Sequence, residues 1–337
     1  MTKLLEIKDK IFNFYGEYET YIYPVVKFIL ALVVFLTINS NIGYNSKVTN
    51  LPVALVLSLI CCLLPINATL IFSFLIILID LYTLSLEAEI IGLVLFIVVY
   101  FIYFRFAPKD GVVALLTPVF FRFNIPYVLP IGVGLKREIY SVVGVACGAV
   151  SYYFLDGVRL NASTLHAAGQ AAEAATEKGA VDKFNLLIGQ IAGNREMYLT
   201  IAILVISTIV TNLVRKIKAD HAWTLAIFSG VLIQLLGMLM GYAFLGVSGK
   251  LLAVILGNIL ALIVGFVFQF MFMHLDYART ERVQFEDDAY YYYVKAVPKK
   301  MVTYEDKKIK HFGNTASMGK RIERKSVVEE LIGDDDK

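Results

Sequence analysis

Apolar residues come in long, almost uninterrupted runs, at 21–38, 51–64, 68–84, 89–106, 139–155, 197–214, 223–245 and 251–272. A helix needs about 20 such residues to cross about 30 Å of hydrocarbon, so these runs predict spanning helices. The run 51–64 is short and predicts a tilted span or a locally thinned bilayer. Pro65 and Asn67 separate it from the next run.

Residues 111–135 break the pattern, because Pro118, Pro126 and Pro130 fall inside an apolar stretch with Arg122 and Asn124 between them. A regular spanning helix tolerates this poorly. Basic residues flank the stretch on both sides, Arg105 and Lys109 before it and Lys136 and Arg137 after it. Short cytoplasmic loops are enriched in Lys and Arg, so both flanks read as cytoplasmic. The stretch is then a re-entrant hairpin that enters and leaves on the inner side. A full crossing there would turn Lys136, Arg137, Arg215, Lys216 and Lys218 outward. Backbone that is not helical at membrane depth has to be buried in protein or line a wet cavity.

The expected fold is an all-α integral membrane protein of eight transmembrane helices plus this Pro-rich hairpin, with both termini cytoplasmic. Residues 1–20 mix Lys and Glu with Leu4, Ile7, Ile11, Phe14 and Tyr15 at helical spacing. They read as a retained amphipathic segment on the inner face and not as a signal peptide. Residues 21–275 form the membrane domain. Its external segment, 156–196, is Ala-rich, and Val181, Phe184, Leu187, Ile188 and Ile191 share one helical face, which predicts one or two helices along the outer interface. The triplet from Asn161 to Ser163 matches a glycosylation acceptor, a pattern short enough to arise by chance.

Composition agrees. The 337 residues are 58% hydrophobic with a mean hydropathy of +0.69, well above a soluble domain. The net charge of +3 implies no nucleic-acid partner, because the cations sit at span ends as topology requires. Cys61, Cys62 and Cys147 lie in apolar runs, as buried small hydrophobes rather than a disulfide framework or a metal site.

Candidate chemistry is sparse. Arg122 is a permanent charge in an apolar stretch; it either offers charge to an anionic solute or headgroup, with Pro118, Asn124 and Pro126 opening the backbone, or snorkels from the hairpin tip. Asp80, in the outer third of its span, is either buried for ion coupling or solvated beside Glu87 and Glu89. Lys27 reads as a snorkelling residue at the inner end of the first span. Gln234 and Asn258 are candidates for a solute path, with hydrogen-bonded packing between helices as the plainer account. Gly144 with Gly148, and Gly237 with Gly241, form GxxxG pairs that permit close helix contact within or between subunits, so a homo-oligomer is one expectation.

His166, His221, His274 and His311 are scattered, and no HExxH, GxSxG or phosphate-binding glycine loop occurs. An enzyme is not expected, nor is a cofactor or metal. Residues 276–337 are a charged cytoplasmic tail, expected to be largely disordered apart from a strand at Tyr290, Tyr291, Tyr292 and Tyr293. That strand either rests on the inner leaflet or docks a cytoplasmic protein by edge addition. The favoured expectation is a cytoplasmic-membrane permease or permease-like component. The rival is a membrane scaffold that recruits its partner through the tail.

Overall fold

The computed structural model describes residues 2–165, 177–217, 219–245, 251–273, 281–286 and 291–296. Each apolar run becomes a helix, because an α-helix satisfies its own backbone hydrogen bonds in a medium without water. In order these are α1 (Thr2–Ile42), α2 (Leu51–Leu63), α3 (Ile66–Leu84), α4 (Leu86–Phe106), α5 (Gly111–Arg122), α6 (Val128–Lys136), α7 (Ser141–Leu160), α8 (Glu177–Ala192), α9 (Arg195–Arg215), α10 (Ala222–Leu245) and α11 (Leu251–Phe272). Two strands follow, β1 (Glu281–Glu286) and β2 (Tyr291–Ala296), paired antiparallel with Glu286 opposite Tyr291.

Among the described residues, seven helical stretches are long and apolar enough to cross a membrane. The chain is a polytopic helical membrane protein. The eighth expected span is α2, whose 13 residues reach only about 20 Å. The amphipathic start and the first span form one helix, α1, interrupted at Tyr18 by non-helical dihedrals. Tyr290 and residues 297–337 of the tail lie outside the described residues, as do 166–176 of the external segment.

Two apolar cores organise the bundle. One joins α1 to α4 with α5, α7 and α8, around Phe35, Leu81, Phe96 and Phe154. The other joins α6 to α9, α10 and α11 and to one side of α5 and α7, around Ile131, Leu204, Ile227 and Met238. The segment 123–127, which holds Pro126, divides 111–135 into α5 and α6, with Asn124 there at a φ of 58°, whereas Pro118 lies inside α5 and Pro130 inside α6. Asn tolerates that left-handed conformation better than most residues. Helix α5 contributes to both cores, Leu115 and Val119 to the first and Val113 and Phe121 to the second, and α6 contributes to the second, so the pair stands between two groups of helices.

Charged contacts tie both ends of the pair to one end of the bundle. The Asp110 carboxylate accepts from Ser141 Oγ at 2.6 Å and meets Arg137 at 3.3 Å. Asn212 Nδ2 donates to the carbonyls of Arg137 at 2.7 Å and Gly134 at 3.3 Å, and Arg215 donates to that of Leu135. These donors satisfy carbonyls that a helix C-terminus leaves open. At the same end Lys136 lies 3.7 Å over the Phe272 ring, and Lys8 donates to the carbonyls of Phe270 at 2.8 Å and Met273 at 3.1 Å. Lys27 donates to the Leu64 carbonyl at the end of α2. The opposite end carries most of the acidic contacts, including Lys183 with Glu87 at 3.2 Å and Tyr242 with Glu196 at 3.2 Å.

Candidate functional site

Pro118 has no N–H to give the Ala114 carbonyl one turn earlier, so α5 carries a weakened spot in mid-helix. Helix α7 packs there through glycine. A Cβ on Gly148 would lie 2.5 Å from the Thr117 Cβ and 2.8 Å from the Ala114 carbonyl oxygen, and one on Gly144 would lie 3.3 Å from Val113. Close backbone approach is how membrane helices gain packing energy, since lipid is as apolar as leucine.

Beside this contact α1, α3, α4, α5 and α7 leave a cleft with about 850 Å³ of empty space, including the part open to the surroundings. Its body is apolar, with Val34, Ile38, Leu70, Ile77, Leu115 and Val119 among its walls. The Pro118 ring and Cys147 face it, and the Tyr103 hydroxyl lies at its deep end, donating to Asn67 Oδ1 or the Pro108 carbonyl, each at 3.0 Å. The other end is polar. There Asn41, Asp156 and Arg159 line the opening, with Arg159 Nη2 donating to Asp156 at 2.7 Å. Just outside, the Tyr44 hydroxyl is shifted toward higher pKa by burial, against the opposing pull of Arg159.

Of the residues singled out in the sequence, Pro118 and Gly148 line this cleft. Asp80 is fully buried near its polar end, where Oδ1 accepts from the Asn45 N–H at 3.0 Å and Oδ2 has no hydrogen-bond partner. Asp80 thereby pins the 43–50 loop to α3, and the carboxylate is not solvated beside Glu87 and Glu89.

Arg122 and Asn124 are exposed at the α5–α6 junction, and Pro126 is half-buried. Phe121 stacks on Tyr152 at 4.8 Å there, and Arg122 does not line the cleft. Gln234 and Asn258 are buried in the second core. Gln234 Nε2 donates to Ser207 at 2.8 Å and Asn258 Nδ2 to its own helix at Val254, leaving both carbonyl oxygens unpaired. Gly237 and Gly241 seat Ile203 and Leu199 of α9 against α10. Tyr291, Tyr292 and Tyr293 belong to β2, already paired on one edge with β1.

The residues sequence reasoning passed over are Asn41, Tyr103, Tyr152, Asp156 and Arg159. One signal pointed to the last two. A cation paired with Asp156 at the outward end of a span runs against the usual placement of Lys and Arg. The aromatic and apolar walls carried no signal, because lipid-facing and cleft-facing residues have the same composition.

No protein-family model matches the chain, and neither a curated protein nor a solved structure matches it. Its class therefore rests on the fold alone, which is that of a polytopic helical membrane protein.

Proposed function

We propose that the protein is a cytoplasmic-membrane permease or permease-like component whose substrate chamber is the cleft between α1, α3, α4, α5 and α7. The observation that carries this reading is a chamber inside the bundle with one polar end, walled on one side by a helix that carries Pro118 within it. Small-molecule sites have this make-up, mostly apolar with a few placed polar groups.

In this reading α2 is a short eighth crossing and α5–α6 a re-entrant hairpin from the cytoplasmic side. Support comes from the ends of the hairpin, which meet at the Asp110–Arg137 contact beside Arg215 and Lys136. Those cations suit the inner face, as does Lys8, and both termini are then cytoplasmic. Cysteines placed at 137 and 159 test the arrangement. Membrane-impermeant reagent should label the second from outside and the first only after permeabilisation; external labelling at 137 sinks the eight-crossing arrangement.

A scaffold that recruits a cytoplasmic protein through its tail is the second reading, favoured by the β1–β2 ribbon, whose outer edges suit strand addition. Two variants separate the readings in cells that depend on the protein. Filling the cleft with Ser73→Phe and Ser151→Phe should abolish function in a permease. Truncation after residue 275 should do so in a scaffold while the filled variant remains active. The exposed Arg122 gives a third comparison: if its guanidinium meets the solute in the path, Arg122→Ala lowers flux without lowering expression.

A further inference from the structure

The cleft has a second boundary. Phe74 of α3 and Tyr100 of α4 line it from outside its core, and the same two rings line a separate groove between α3 and α4, with about 420 Å³ of empty space. The rest of that groove is wholly apolar, formed by Leu78, Leu93, Phe96, Ile97 and Phe101. Leu93, Ile97 and Phe101 are exposed on the outer surface of the helical bundle, which in a membrane is the lipid side. Two aromatic side chains therefore separate the chamber from the hydrocarbon.

From this we infer that the cleft takes a single-chain amphiphile, which enters sideways from the bilayer between α3 and α4 past Phe74 and Tyr100. Its apolar chain lies along α7, and its hydrogen-bonding head, without net charge, rests at Asn41, Asp156 and Arg159. The inference deepens the permease reading by naming its substrate class, and rests on that reading for transport but not for binding.

Shape and charge agree on the occupant. On α7 the lining runs from Cys147 to Arg159, twelve positions and about 18 Å of helix. That is the proportion of an extended chain and not of a compact polar solute. A water-soluble solute would find almost no partners along that length, because the serine and threonine hydroxyls on the walls are turned back to their own helices. Thr37 donates to Val33, Ser73 to Thr69 and Ser151 to Cys147. At the mouth Arg159 and Asp156 compensate one another, so a head with a full net charge would break that pair. A zwitterionic or hydroxyl head finds an acceptor in Asp156 and donors in Arg159 and Asn41.

The test uses the full chain in vesicles that contain a diazirine-bearing lysophosphatidylethanolamine, followed by peptide mapping. Photolabel should fall on segments 34–41 and 147–159. Ser73→Phe with Ser151→Phe should cut it at least tenfold, with a melting temperature no lower than the parent's. Arg159→Ala, at an exposed position, should weaken capture of the lysolipid severalfold and leave a headless diazirine hydrocarbon unaffected. Label confined to Leu93, Ile97 and Phe101, or unchanged by the filled variant, overturns the inference. If the filled variant does not fold, the head-selective effect of Arg159→Ala decides alone.

Flux separates this from the permease reading. Labelling at the predicted segments without passage of the lysolipid to the other leaflet leaves the binding site standing and removes transport. Protein-dependent passage of a water-soluble solute with no lysolipid labelling removes the amphiphile and leaves the permease.

Discussion

At the scale of single residues, the glycines of α7 and the buried carboxylate of α3 carry defined loads. Gly148→Leu forces atoms against Thr117 and the Ala114 carbonyl, overpacking that costs about 1–3 kcal/mol. Thermal unfolding in detergent should show a lower midpoint. Gly189→Ala, where a Cβ meets nothing within 4 Å, should leave the midpoint unchanged or raised. Asp80→Ala removes the acceptor of the Asn45 N–H. Hydrogen exchange across 43–50 should speed up, while Asp80→Asn, which keeps the oxygen, should preserve much of the protection. Equal exchange in all three proteins would mean that the loop is held by other contacts. Glu138 gives the pH-dependent case. The Lys216 ammonium, 3.0 Å away, holds its carboxyl below the usual range. The pair therefore contributes at pH values above the ordinary carboxyl pKa of about 4.3 and is lost as pH falls through the folded value. The difference in melting temperature between the parent and Glu138→Gln should disappear in acid, and high salt should shrink it at neutral pH.

Among the elements, the α5–α6 pair depends most on its surroundings. Two helices of 12 and 9 residues are too short to persist alone, and among the described residues the carbonyls at the end of α6 are met by α9 and its own flank. Asn212→Ala strips the side-chain donor from the buried Gly134 carbonyl and leaves that of Arg137 to Arg215. Leaving a buried carbonyl unpaired costs about 1–3 kcal/mol. The expected signature is local, faster exchange or proteolysis within 128–137 at unchanged helix content by circular dichroism. A uniform loss of stability through the bundle would show that Asn212 holds α9 and not the pair. Much of this pair was legible in the sequence. Pro126 marked the interruption, although Pro118 and Pro130 lie within the two helices, and the flanking cations marked its ends. Which partners receive those ends was not legible, since Asn212 and Arg215 lie about 75 residues further on and nothing in their local pattern distinguishes them.

For the whole molecule, α2 sets a mismatch with the bilayer. Its 13 residues span about 20 Å, against about 30 Å of hydrocarbon, so the membrane has to thin beside α1 and α2 or the helix stays partly embedded. Reconstituted protein should accordingly be more stable in shorter-chain phosphatidylcholine than in longer, by melting temperature across a chain-length series. A maximum at the longest chains would argue that α2 lies at the interface. The two-core arrangement bears on the cleft as well. Its walls come from α1, α3, α4, α5 and α7, whereas α9, α10 and α11 contribute none of its lining. Gln234 and Asn258, expected on a path, sit in that second group with buried amides.

The sequence by itself determined the class and most of the helices. A run of apolar residues without water to solvate its backbone has one spanning solution, so length and hydropathy decide it locally. It also located the proline break and the ends where cations gather. Tertiary structure alone decided which faces turn inward. Hydropathy is the same for a residue against lipid and one lining a chamber, so Val34, Leu70 and Tyr100 could be assigned to the cleft only once five helices had packed. The same holds for Asp80 and Arg159. Whether a charge at a helix end is solvated, pins a loop or guards an opening depends on neighbours drawn from other helices, and packing alone brings those neighbours together.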